Sequence, residues 1–81
     1  MRVEMFERVV LAQDLPADGL KAGDVGVIVE QYPATAEVPG GYELEMFAAN
    51  GETLFVVSVP ATSIRKATEH DVLSARHLIR A

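Results

Sequence analysis

Cysteine is missing from all 81 residues, so no disulfide framework or thiolate metal site exists, and stability has to come from packing. Tryptophan is missing as well and aromatics make up only 6% of the chain. An aromatic-lined groove for proline-rich peptides therefore lacks its main material. Basic residues are few, 7 against 12 acidic ones, for a net charge of -5. That charge repels a polyanion at long range and argues against nucleic acid as a partner. No apolar run is long. The longest, in the Leu54 to Val59 region, falls far short of a bilayer span. Met1 to Arg8 interleaves charges with apolar residues rather than forming the uninterrupted core of a secretory signal. The expectation is a cytoplasmic protein with no membrane partner.

What remains is ordinary globular material, 49% hydrophobic and 23% charged, in a length that suits one small domain. Glu7 to Ala12 reads as a first short strand, stopped by Gln13-Asp14-Leu15-Pro16. A long turn-rich loop through Asp24 follows, with Leu15 and Leu20 placed to tuck inward. Val25 to Tyr32 reads as a second strand, in which Val25, Val27 and Val29 share one face and Gly26 permits a bend. Pro33 to Gly41 holds two prolines and two glycines and cannot sustain a ladder.

Tyr42 to Ala48 and Thr53 to Val59 then flank Asn50-Gly51, the strongest short-range hairpin signal. With Asn50 and Gly51 as the two turn residues, Ala49 faces Glu52, Phe47 faces Leu54, Glu45 faces Val56 and Leu44 faces Val57. One face then holds Tyr42, Leu44, Met46, Phe55, Val57 and Val59, which is a core face. The other mixes Glu43, Glu45 and Ser58 with Phe47, Leu54 and Val56. Either the C-terminal segment covers that patch or another molecule does. A one-residue bulge near Ala48-Ala49 would swap the faces of one strand.

Pro60 to Ala67 predicts one tight helical turn and a brief last strand through Ile64 and Arg65. Thr68-Glu69-His70-Asp71 has the form of a capping box with Asp71 at its fourth position. Val72, Ala75, Leu78 and Ile79 follow at helical spacing, and Arg76 and Arg80 suit a helix C-terminus. The spacing thus predicts an amphipathic helix from about Glu69 to Arg80, packed on the barrel or on a partner. The division is a barrel over 1–67 and a helix over 68–81.

Strand, long loop, strand, variable loop, hairpin, tight turn and last short strand is the order of an SH3-like barrel. The chain resembles a family of small bacterial proteins of unknown function with that barrel. The likeness lies in Asp14-Leu15-Pro16, in Gly19 through Gly26 with Val29-Glu30, in Tyr42 through Phe47, and in Gly51 through Leu54, Val56-Val57 and Val59-Pro60. It spans about Val9 to Lys66 and implies a mainly β fold of about five strands, but no catalytic role. Gly23-Asp24-Val25-Gly26-Val27 is also similar to the strand start of KOW-type barrels, although the basic loop of those proteins is absent.

No constellation of chemistry stands out. Glu43 and Glu45 have the spacing of an acid/base pair, and equally that of a solvated strand face. Asp14, Asp18 and Asp24 share a loop without the spacing of a calcium loop and read better as turn formers. His70 and His77 stand seven apart, too far for a shared zinc without a third ligand. Ser58, Ser63 and Ser74 have no histidine at motif spacing, and no glycine loop cradles phosphate. No enzyme, cofactor or metal is expected. Arg65, Lys66, Arg76 and Arg80 gather positive charge near the C-terminus, either complementing a helix end or orienting a partner.

The leading reading is a non-catalytic protein-protein interaction module, an accessory subunit or an antitoxin-like partner of another bacterial protein. Its contact residues are Phe47, Leu54 and Val56, with Glu43 and Glu45 as an acidic rim and Val72, Leu78 and Ile79 as a second apolar surface. Self-association as a homodimer is part of the same expectation. The alternative is a KOW-like nucleic-acid-binding barrel.

Overall fold

Leu44 has no exposed surface and lies opposite Ile28 on one side and Val57 on the other; the sheet is organised around that row. The computed structural model describes residues 3–79. It holds five strands, β1 Arg8–Leu11, β2 Val25–Tyr32, β3 Gly41–Phe47, β4 Thr53–Pro60 and β5 Ile64–Lys66. All pairings are antiparallel, in the order β4-β3-β2-β1-β5. The fold is mainly β, as expected, and the turn Ala61–Ser63 stands before the last strand where the sequence places it. Among the described residues no helix is long and apolar enough to cross a membrane.

Alternation explains the core. Val9 and Leu11 of β1, Ile28 of β2, Leu44 and Met46 of β3, Val57 and Val59 of β4 and Ile64 of β5 form one buried cluster. Tyr42 and Phe55 pack against it half-buried. Leu20 joins this core and Leu15 packs on it, the two bridged to each other across the 3-10 turn Pro16–Asp18. Val3, which precedes every predicted strand, is also core. Its carbonyl accepts a hydrogen bond from Gln31 Nε2 at 3.2 Å.

Two register breaks set which way side chains point. In β2 the break falls between Ile28 and Glu30, so Val29 is the extra residue of a bulge. In β4 it falls between Thr53 and Phe55, so Thr53 and Leu54 together oppose Phe47. The turn itself is one residue longer than the predicted two. Gly51 N–H donates to Ala48 O at 2.9 Å and Ala48 N–H to Glu52 O at 2.7 Å, so Ala48, not Ala49, faces Glu52. Gly51 alone takes a left-handed φ of 93°, as a three-residue loop requires. From Met46–Phe55 outward the predicted register holds, because the extra turn residue and the extra β4 residue compensate.

The predicted C-terminal helix is absent: residues 71–79 carry no helical structure. The cap forms without its helix. Asp71 Oδ2 accepts the Thr68 N–H at 2.8 Å and Thr68 Oγ1 accepts the His70 N–H at 3.2 Å. A helix of this length is marginal in water unless an apolar face docks. Here only Leu78 packs on the core, while Val72 and Ile79 are exposed. Tertiary anchors hold the segment instead. Arg65 grips Asp71 through both carboxylate oxygens, at 2.7 and 2.9 Å. Arg76 Nε donates to Asp24 Oδ1 at 2.9 Å and its Nη2 donates to Gly19 O at 3.0 Å and to Asp24 Oδ2. Arg80, placed by the sequence at the helix end, lies outside the described residues.

A Cβ added at Gly41 would stand 2.7 Å from the backbone oxygen of Val59, an atom the β3–β4 ladder holds in place. Gly41→Ala is expected to cost about 1–3 kcal/mol, read as a fall in the thermal midpoint of roughly 4–8 °C per kcal/mol.

Candidate functional site

The outer face of the β3–β4 hairpin is built by the same alternation that builds the core. With Leu44, Met46, Val57 and Val59 turned inward, Glu43, Glu45, Phe47, Val56 and Ser58 turn outward. The break at Leu54 keeps that residue on the outer side too, since both bulge residues oppose Phe47. Thr53 Oγ1 donates to Glu45 Oε2 at 2.5 Å, which places Thr53 on the same face. Phe47, Leu54 and Val56 are 41%, 46% and 52% exposed. The described part of the C-terminal segment, through Ile79, therefore leaves the patch open.

The carboxylates are tied within the sheet. Ser58 Oγ donates to Glu43 Oε1 at 3.3 Å. The Glu43 carboxylate hydrogen-bonded beside Tyr32 holds that phenol above its ordinary pKa, with some burial and the charges of Glu43 and Glu30 acting the same way. Glu43 and Glu45 thus stand along one edge of the apolar strip as a half-exposed acidic margin.

The second predicted surface is not one surface. Leu78 is drawn to the core while Val72 and Ile79 are 85% and 80% exposed, because the segment is anchored at separate points without helical structure and its residues do not share a helical face. His70 and His77 are exposed, and His70 stands 3.6 Å from Glu69 alone. Among the described residues, no group of three or more metal-ligating side chains is close enough to hold an ion. The loop aspartates do turn work. Asp14 Oδ1 accepts the Ala22 N–H at 2.9 Å and Asp24 Oδ2 the Lys21 N–H at 2.8 Å. Ser63, fully buried, accepts a hydrogen bond from Gln13 Nε2 at 2.6 Å and so clasps the end of β1 to the last turn.

Three features had no signal in the sequence. Phe6 is 71% exposed and held outward in a left-handed turn with φ 66°. Tyr32, Gly40 and Tyr42 line two shallow clefts beside Pro33, Pro39 and Pro60. Asp24 meets Arg76 from 52 positions away. Burial raises the Asp24 carboxyl, but hydrogen bonds from Arg76 and the Lys21 N–H, with the guanidinium charge, outweigh it. The pKa lies below the ordinary value.

A family model described as a domain of unknown function, DUF4926, matches residues 5–66, and the chain belongs to that family. No curated protein and no solved structure matches it.

Two outcomes follow from this geometry. Val57→Asp buries a charge in the core and is expected to unfold a domain whose whole stability is about 4–12 kcal/mol. Leu54→Asp is expected to leave the circular dichroism and thermal midpoint nearly unchanged, because the side chain already meets water. For the strap, a depressed Asp24 pKa means that its stabilising contribution is complete above the ordinary value of 3.8 and is lost as pH falls through the lower folded value. The Leu78 methyl resonances are expected to lose their contacts to the core as pH drops below that point, and in Arg76→Gln to lack them at neutral pH already.

Proposed function

We propose that this member of the family is a non-catalytic SH3-like module that binds another protein through the outer face of its β3–β4 hairpin. The observation that carries the reading is the strip of Phe47, Leu54 and Val56, each 41–52% exposed on one face of the β3–β4 hairpin. Apolar side chains gathered on one face of a soluble protein mark an interaction surface, and a charged margin around them sets partner choice. Glu43 and Glu45 supply that margin, so the partner's complementary rim is basic. The strand order β4-β3-β2-β1-β5, the long β1–β2 loop and the 3-10 turn ahead of β5 support the SH3-like architecture. The net charge of -5 supports protein over nucleic acid.

The reading is tested by capture from native extract with the full chain as bait, followed by titration of what is captured. Leu54→Asp is expected to weaken binding roughly tenfold or more. Leu73→Asp, at a 66% exposed position of the C-terminal segment, is expected to leave it intact. Equal binding by all three proteins, or tight and steeply salt-dependent binding of generic RNA, overturns the reading.

A further inference from the structure

We infer that β4 is the seam of a symmetric homodimer, in which a second copy of this chain adds its own β4 antiparallel about a two-fold axis at Val57. The inference goes beyond the outer-face reading: it concerns the free backbone edge of the same hairpin, which a second copy occupies while the Phe47, Leu54 and Val56 face is left for the other protein.

β4 pairs with β3 and is otherwise an edge of the sheet. Its ladder continues into the next turn, where Ala61 N–H donates to Gly40 O at 3.1 Å. Antiparallel bonds alternate along a strand, so counting back from Ala61 assigns the backbone groups of Val59, Val57 and Phe55 to β3. The N–H and C=O of Val56 and Ser58 point away from the sheet. Among the described residues no backbone hydrogen bond from outside the ladder reaches either of them.

The two edges are treated differently. β5 has three residues, of which Arg65 and Lys66 are charged, which are standard protections against edge-to-edge pairing. β4 runs eight residues from Thr53 to Pro60 without a charge. Its bulge at Leu54 and its proline at 60 delimit a regular stretch centred on Val57. A two-fold there sets Val56 opposite Ser58 of the second copy and Ser58 opposite its Val56, giving roughly four backbone hydrogen bonds. No charge faces a like charge across the seam. Glu43 lines up with the second copy's Glu45 across three strand spacings, about 14 Å, beyond a Debye length of about 8 Å.

Size decides the strength. Eight residues at about 3.4 Å, across a sheet about 10 Å thick, bury roughly 500 Å² over both copies, well under the approximately 1,200 Å² at the lower end of stable interfaces. The dimer is therefore weak and concentration-dependent. Because each copy carries -5, added salt tightens it, whereas a contact between acidic and basic partners loosens.

Sedimentation of the full chain from about 10 µM to 1 mM, the weak range for an interface this small, tests the inference. The expected result is a monomer–dimer equilibrium that shifts to dimer with salt, is lost in Val56→Lys and is kept in Phe47→Lys, since Phe47 lies one strand in from the seam. The cysteine-free sequence allows a register test under mild oxidation. Val56→Cys mixed with Ser58→Cys should cross-link faster than either variant alone. A monomer at every concentration, dimer loss in Phe47→Lys but not in Val56→Lys, or cross-linking of either single variant as fast as the mixture overturns the inference. If Leu54→Asp still loses a captured protein while the chain stays monomeric, the outer face remains a docking face and only the edge seam is wrong. If neither effect is seen, both readings fall.

Discussion

The row Ile28–Leu44–Val57, one residue from each of three adjacent strands, is the constraint on which the rest of the structure depends. Each of these side chains is at most 8% exposed, and each sits directly opposite the next. Because strand side chains alternate, fixing that row fixes every other residue of β3 and β4 to one face or the other. A slip of one position would send Leu44 and Val57 to water and bring Glu43 and Glu45 into the core, at a cost larger than such a domain's entire stability. The outer strip of Phe47, Leu54 and Val56 is thus a by-product of the core, and it is rigid for the same reason.

The two bulges show how a sheet absorbs irregularity without losing that pattern. The hairpin loop holds three residues where the Asn50-Gly51 signal suggested two, and Asn50 keeps an ordinary φ while its side chain accepts the Glu52 N–H at 3.1 Å. The additional residue in the loop is balanced by Leu54 in β4, so the pairing of Glu45 with Val56 and Leu44 with Val57 is what alternation alone implies. Loop length is decided by the twist of the strands it joins, which is not written in the four residues of the turn. Hydrophobic alternation, by contrast, is written in every second residue.

The C-terminal segment is where local propensity and tertiary contact disagree. Its first four residues have the composition of a helix start, and they make the cap hydrogen bonds that such a start makes. Yet Asp71 also serves Arg65, Arg76 is taken by Asp24 and Leu78 by the core. Anchors at 71, 76 and 78 that reach different parts of the fold hold the chain in a non-helical path, and a short helix has too little stability of its own to resist them. The positive charges near the C-terminus, read from the sequence as complements to a helix dipole or as guides for a partner, are intramolecular fasteners in Arg65 and Arg76.

By itself the sequence determined the strands, their order along the chain, the inward and outward residues of the hairpin, and the 3-10 turn before the last strand. These depend on period-two patterning and on turn chemistry within a few residues of each other. Only the tertiary structure decided that Val3 is core, that Ser63 is a buried clasp for Gln13, and that Asp24 finds Arg76 across 52 positions. It likewise decided that the hairpin's outer face stays open while the tail fastens elsewhere. Such contacts join residues with no periodic relation, and their free energy exists only once the sheet has brought the two ends of the chain together.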